Sequence, residues 1–413
     1  MFVIPGILRE HAGEVAFQWL LRDGAVHAPH YDLKDLAELD DRVEAQLDGL
    51  RIAGEEGGRI VMEELAGEEA GEVFAGAVLA FESGDQERIE HVLKVGAQSQ
   101  ELARGVISAL GWLPLEKARP HIEKLLEAAE PMRRRIGIGA AGVHRHDPGH
   151  KLNAAMGDGD PIVVSRAVKA AGELGRLDMR IGVGQYLTSE DGQVRFWAAW
   201  SAVLLGDSGG VGVLREIAEA GGPFVERAAD LAARRMEPGA ALAWQRKLAG
   251  QEERLRLAIK VAGAIGDPVL APWLIEQMAN PELARPAGEA FAAIAGVDIA
   301  YEDLEGEWPE GFEAGPTESP EDENVELDPD EDLPWPAPPL IQGWWSKNQG
   351  RFPSGQRHLL GRPMTPETLQ EVLRTGTQRQ RAAAALELTI GQPGQPLFEV
   401  RARGDRQREL LGP

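Results

Sequence analysis

Three imidazoles fall within seven residues, at His144, His146 and His150, with Asp147 between them. Neutral imidazole and carboxylate are the ligands that zinc and iron accept, so His144, His146, Asp147 and His150 form the candidate metal centre of an enzyme. The spacing argues against it. The His-Glu-x-x-His of a zincin helix, or the paired cysteines and histidines of a zinc finger, would be diagnostic, and neither motif is present. Arg145 also sets a positive charge inside the group. The favoured reading is a solvated turn.

A second cluster is acidic: Asp328, Asp330, Glu331 and Asp332. Alternating carboxylates begin a calcium loop, but that loop needs Gly at its sixth position and Glu at its twelfth. Leu333 and Pro339 stand there. Carboxylates without a loop read as a surface for a basic protein partner. Trp335, Trp344 and Trp345 lie close by, and tryptophan is enriched where interfaces concentrate their binding energy. Asp328, Asp330, Glu331, Asp332, Trp335, Trp344 and Trp345 are therefore the candidate partner-binding residues. For the tryptophans the competing role is to pin the C-terminal part of the chain, whereas Trp197 and Trp200, three residues apart, read as core. The string Gly137, Gly139, Gly142 imitates a nucleotide-binding loop but lies within an apolar helix pattern, with no strand before it.

The elements that position these residues repeat. An arginine followed by small and aliphatic residues at helical spacing recurs at Arg104, Arg135, Arg166, Arg195, Arg227, Arg256 and Arg285, at intervals of 31, 31, 29, 32, 29 and 29 residues. A diverged copy holds Ala75 in the same register. Each unit reads as two helices, the first ending at a Gly or Asp turn and the second amphipathic, as in 117–129 and 268–278. A period near 30 predicts an all-α fold, a right-handed α-solenoid of HEAT-type repeats, in which each hairpin buries its faces on its neighbours. The recurring arginine reads as a ladder bonding acids or carbonyls of the adjacent repeat, with direct partner contact as the lesser alternative.

Residues 1–60 do not keep the period and read as an N-terminal helical cap, with Leu36, Leu39, Val43, Leu47 and Leu50 on one face of a helix within 31–54. The array spans 61–301. Residues 302–338 form an acidic, proline-bearing linker: Glu302 to Asp332 hold fifteen acids and no Lys or Arg, which predicts disorder or an extended path. Residues 339–413 reverse the sign and form a basic C-terminal module, expected to dock back on the array through helices at 366–374 and from Arg381.

The formal net charge is −24. Without the acidic linker it falls to −9, with 43 basic residues against 52 acidic. That balance argues against nucleic acid as partner and against alkylation repair in a basic helical-repeat groove. With no cysteine, disulfides and thiolate metal sites are excluded. No apolar run is long enough to cross a membrane, so no membrane partner is expected and a cytoplasmic protein is the default. Helical-repeat iron hydroxylases use His-Glu dipeptides. None occurs; Glu10-His11 and Glu90-His91 are reversed. Bilin-attaching helical-repeat enzymes, which need no visible signature, stay as a distant alternative.

Three stretches, 17–54, 71–85 and 328–402, the last containing Asp-Pro-Asp-Glu-Asp-Leu-Pro-Trp-Pro and Trp344-Trp345, resemble a proteobacterial family of HEAT-repeat proteins often encoded beside type VI secretion components. The resemblance implies a fold and a genomic setting, and no catalytic residue. The expected function is a non-enzymatic protein-binding solenoid without cofactor, its partner a type VI secretion effector or machinery component bound as by an immunity protein or an adaptor. A metal-dependent enzyme on the same scaffold and a generic multi-partner scaffold are the alternatives. No oligomeric state follows.

Overall fold

A computed structural model describes residues 4–315 and 328–412. The fold is all-α: twenty-two α-helices and one two-residue hairpin occur among the described residues. None of these helices is long and apolar enough to cross a membrane. The chain forms two compact units, Met1–Gly210 with Thr389–Pro413, and Val211–Leu388. These boundaries differ from the sequence-based ones at 60, 301 and 338. The last 25 residues pack with the N-terminal unit, a long-range association that composition does not encode.

In the first unit the helices are α1 (Pro5–Ala25), α2 (Leu33–Ile52), α3 (Glu55–Glu64), α4 (Ala70–Ser83), α5 (Gln86–Gly96), α6 (Gln100–Trp112), α7 (Leu115–Leu126), α8 (Pro131–Val143), α9 (His150–Met156), α10 (Pro161–Glu173), α11 (Arg180–Gly184) and α12 (Gly192–Leu204). Alternate helices pack in series: α1 on α4, then α4 on α6, α6 on α8, α8 on α10 and α10 on α12. The small residues explain this close approach. A Cβ added to Gly105 of α6 would stand 2.4 Å from the Ala70 carbonyl oxygen, and one on Gly71 of α4 2.5 Å from that of Ala16. No side chain fits between those backbones. The apolar stripe of α2 is buried as its spacing predicts, at Leu36, Leu39, Val43, Leu47 and Leu50, and Asp32 caps its start by accepting from the N–H groups of Lys34 and Asp35.

The second unit contains α13 (Gly209–Ala220, beginning at the boundary), α14 (Val225–Arg235), α15 (Pro238–Ala249), α16 (Leu255–Ile265), α17 (Ala271–Gln277), α18 (Pro281–Ala295), α19 (Pro338–Asn348), the hairpin of β1 (His358–Leu359) and β2 (Arg362–Pro363), α20 (Pro366–Thr375) and most of α21 (Gln378–Gly391). Within it α14 packs on α16 and α16 on α18. Gly84, Gly266 and Gly296 end α4, α16 and α18 in the left-handed conformation, with φ near 70°, where any other residue's backbone would be strained.

An extended segment crosses the helix C-termini in each unit. In the second, the N–H groups of His358, Leu360 and Gly361 donate to the carbonyls of Gly266, Ala293 and Ile294, and Arg357 donates to Arg234, Ala264 and Ile265. In the first, Leu397 N–H donates to the Glu173 carbonyl. α22 (Gly404–Leu411) follows and packs on α2. Helix ends leave carbonyls without intrahelical donors, and these segments supply them.

Candidate binding face

The recurring arginines lie near the starts of α6, α8, α10, α12, α14, α16 and α18, and their partners differ. On α16, Arg256 donates twice to Asp330, at 2.8 and 2.6 Å. On α18, which packs against α16, Arg285 donates twice to Asp328, at 2.7 and 2.9 Å, and once to the Asp330 carbonyl at 2.7 Å. The Asp330 N–H closes the turn on Asp328 at 2.9 Å, with Pro329 fixing the backbone between them. Two neighbouring repeat arginines thus grip one Asp-Pro-Asp segment, each by the two-pronged geometry that suits guanidinium and carboxylate.

Aromatic rings close over the pair. The Arg285 guanidinium carbon lies 5.0 Å from the Trp308 ring centre and 5.6 Å from that of Trp335, distances at which the ring face attracts a cation. The Trp308 and Trp335 rings meet at a tilt of 56° with centres 4.8 Å apart, and the backbone joins them where Gly306 N–H donates to the Trp335 carbonyl. Burial opposes ionisation of Asp328, yet bonds from Arg285 and the Asp330 N–H hold its carboxyl below the usual range. The bond from Asp330, working against burial, raises Arg256.

Asp330 and Trp345 are almost fully buried, so neither offers the partner-binding surface expected of it. Asp328 is likewise committed to Arg285. Trp344 and Trp345 both meet Phe291 edge to face, with ring centres 6.0 and 5.8 Å away, and the Trp344 Nε1–H donates to Glu302. Trp335 is half-buried in the aromatic cap, while Glu331 and Asp332 are exposed. Sequence singled out these residues but had no means of seeing that Arg256 and Arg285 close on them from 74 and 43 residues away. Of the predicted linker 302–338, residues 302–315 and 328–337 are described and carry no helix, and α19 begins at its last residue, Pro338; residues 316–327 lie outside the described residues.

In the first unit the same register reads Arg104, Arg135, Arg166 and Arg195. Arg104 reaches Asp23 at 2.5 Å and lies over the Trp19 ring. Arg166 lies 2.9 Å from Glu173 and donates to the Gly139 carbonyl. It occupies space left by Gly142, where a Cβ would stand 2.2 Å from its Nη2. Burial disfavours the Glu173 anion, but Arg166, Lys169 and Arg145 outweigh it and push the carboxyl down to about 2. Arg195 donates to the Leu187 carbonyl. Among the described residues Arg135 has only the Gln100 amide oxygen as a hydrogen-bond partner, at 3.1 Å.

The histidine cluster does not converge. His144 is buried, its Nε2 2.8 Å from the Leu110 carbonyl and its Nδ1 3.0 Å from Arg406. A neutral ring that donates at Nε2 and accepts from Arg406 at Nδ1 satisfies both contacts, and burial chiefly keeps the ring neutral by lowering its pKa. Asp147 pairs with Arg176 at 2.7 Å, and His150 is exposed at the start of α9. Among the described residues no three His, Asp or Glu side chains lie close enough to hold a metal ion. The candidate centre of His144, His146, Asp147 and His150 is thus corrected: the first imidazole has no free nitrogen, Asp147 is paired with Arg176, and no three of the four lie within reach of one ion.

Sequence reasoning passed over two buried ion pairs. Arg22 donates to Asp40 at 2.6 Å and to the carbonyls of Arg401 and Ala402, while Gly404 N–H donates to Asp40. Glu387 accepts from Arg234 and Arg357. Arg145 ends α8 at φ +52°, a conformation that glycine serves elsewhere, and its guanidinium holds the C-terminal segment through the Leu397 carbonyl and Glu399. That tether explains a side chain tolerated there at a cost of about 1 kcal/mol.

Comparison with protein-family models and with curated proteins yields no match. Geometry therefore carries the functional argument.

Proposed function

We propose that the chain is a non-enzymatic protein-binding protein, an α-solenoid of HEAT-type repeats whose arginine-bearing helix starts receive carboxylates presented on extended segments. The observation that carries this is the grip of Arg256 and Arg285 on Asp328 and Asp330. Consecutive repeat arginines can read carboxylates two residues apart, with aromatic rings excluding water around them. A repeat array offers an extended face suited to a protein partner. The family resemblance favours a type VI secretion effector or machinery component as that partner, bound in the cytoplasm as by an immunity protein or an adaptor.

The test is capture on the tagged full chain in an extract of its source cells, with reconstitution from the purified captured protein. A saturable complex with a secretion-related protein is expected. Recovery of no protein that rebinds in purified form contradicts the reading.

A further inference from the structure

Among the repeat arginines, Arg104, Arg166, Arg256 and Arg285 each face a carboxylate: Asp23, Glu173, Asp330 and Asp328. Arg135, between Arg104 and Arg166 in the series, faces none among the described residues. Its Nε and Nη1 are shut from solvent and without a hydrogen-bond partner. Its Nη2 has only the neutral Gln100 oxygen, and Gln193 Nε2 approaches that same oxygen at 3.4 Å. Burial and the neighbouring Arg166 push the guanidinium pKa down to about 10. A cation withdrawn from water without a counter-charge is costly. The cost is relieved if an anion arrives.

We propose that Arg135 is the seat of a carboxylate from an acidic, extended segment of a partner protein, which displaces the Gln100 amide. In that place one carboxylate oxygen accepts from Arg135 Nη2 and the other from Gln193 Nε2. Gln100 is exposed and can swing aside. The second unit supplies the precedent for the ligand: in the same repeat register, its arginines hold aspartates of an extended segment. This inference rests on the protein-binding reading and names the partner's chemistry.

The experiment uses the full chain and a fluorescent peptide, Glu-Leu-Asp-Pro-Asp-Glu-Asp-Leu-Pro, followed by anisotropy at low salt. The wild type is expected to bind it. Arg135→Gln should weaken binding about tenfold, the value of one charge-assisted contact, and Gln100→Ala, at an exposed position, should strengthen it. A peptide with Asn for every Asp and Gln for every Glu should not bind. No binding by the wild type, equal binding by Arg135→Gln, no gain from Gln100→Ala, or loss through Arg285→Gln instead would each overturn the site. If Arg135→Gln still captures the cellular partner as strongly as the wild type, this site fails while the protein-binding reading stands.

Discussion

Arg285 and Asp328 meet through two hydrogen bonds of 2.7 and 2.9 Å under a roof of two tryptophans. The arginine side chain is 4% exposed and the aspartate 13%. Such a pair acts as one object: removing either member strands the other's charge.

Arg285→Ala should therefore destabilise the protein by about 3 kcal/mol, read from the chemical-denaturation midpoint. Asp328→Asn should cost less, because its amide still accepts one bond. The double variant should lose less than the sum of the two, with a coupling of at least about 1 kcal/mol. Additive losses would show that the two residues stabilise the fold independently.

Glu173 sets an acid limit. Its folded-state pKa of about 2 lies below the ordinary ~4.3 of an unfolded glutamate. The unfolded state thus binds the proton first as pH falls, and the stabilisation, full above about pH 5, drains away toward pH 2. Its size is on the order of 3 kcal/mol. Glu173→Gln should lose stability at neutral pH and show a flatter profile between pH 5 and 2. Parallel curves for the two proteins would count against the depressed carboxyl.

Close backbone approach makes Gly105 sensitive. Alanine is favoured over glycine in a helix by about 1 kcal/mol, so a solvent-facing Gly105 would gain from Gly105→Ala. With the Ala70 carbonyl 2.4 Å from the new Cβ, the expected outcome is a loss of about 2 kcal/mol. Gly13, which has nothing near it, is the control and should gain on replacement by alanine. Thermal melts of the two variants should move in opposite directions.

Chelation should leave the protein unchanged. Both nitrogens of His144 are engaged, so EDTA should not shift the melting temperature and metal analysis should find no stoichiometric zinc or iron. His144→Ala should cost about 2 kcal/mol through its buried partners, with or without EDTA. A chelator-sensitive melt would revive the metal alternative.

Much of the helical framework was legible because it is local. The arginine registers fall within helices, and the face of α2 is buried as its spacing requires. The histidines were legible as a cluster but not as a structure, because His144 points back to Leu110 while Asp147 turns to Arg176. The Asp-Pro-Asp segment was conspicuous, yet its direction was not: whether a carboxylate meets a partner or its own chain depends on closures such as that of Arg285 on Asp328. The extended segments around His358 and Leu397 leave still less trace, since backbone groups capping distant helices demand no particular side chain.

The central claim is that the chain binds a partner's acidic segment through its repeat arginines. Calorimetric titration of the purified captured partner into the full chain tests it most directly. The account predicts saturable binding that weakens as salt rises and falls about tenfold in Arg135→Gln. Binding indifferent to salt and unchanged in that variant would contradict it.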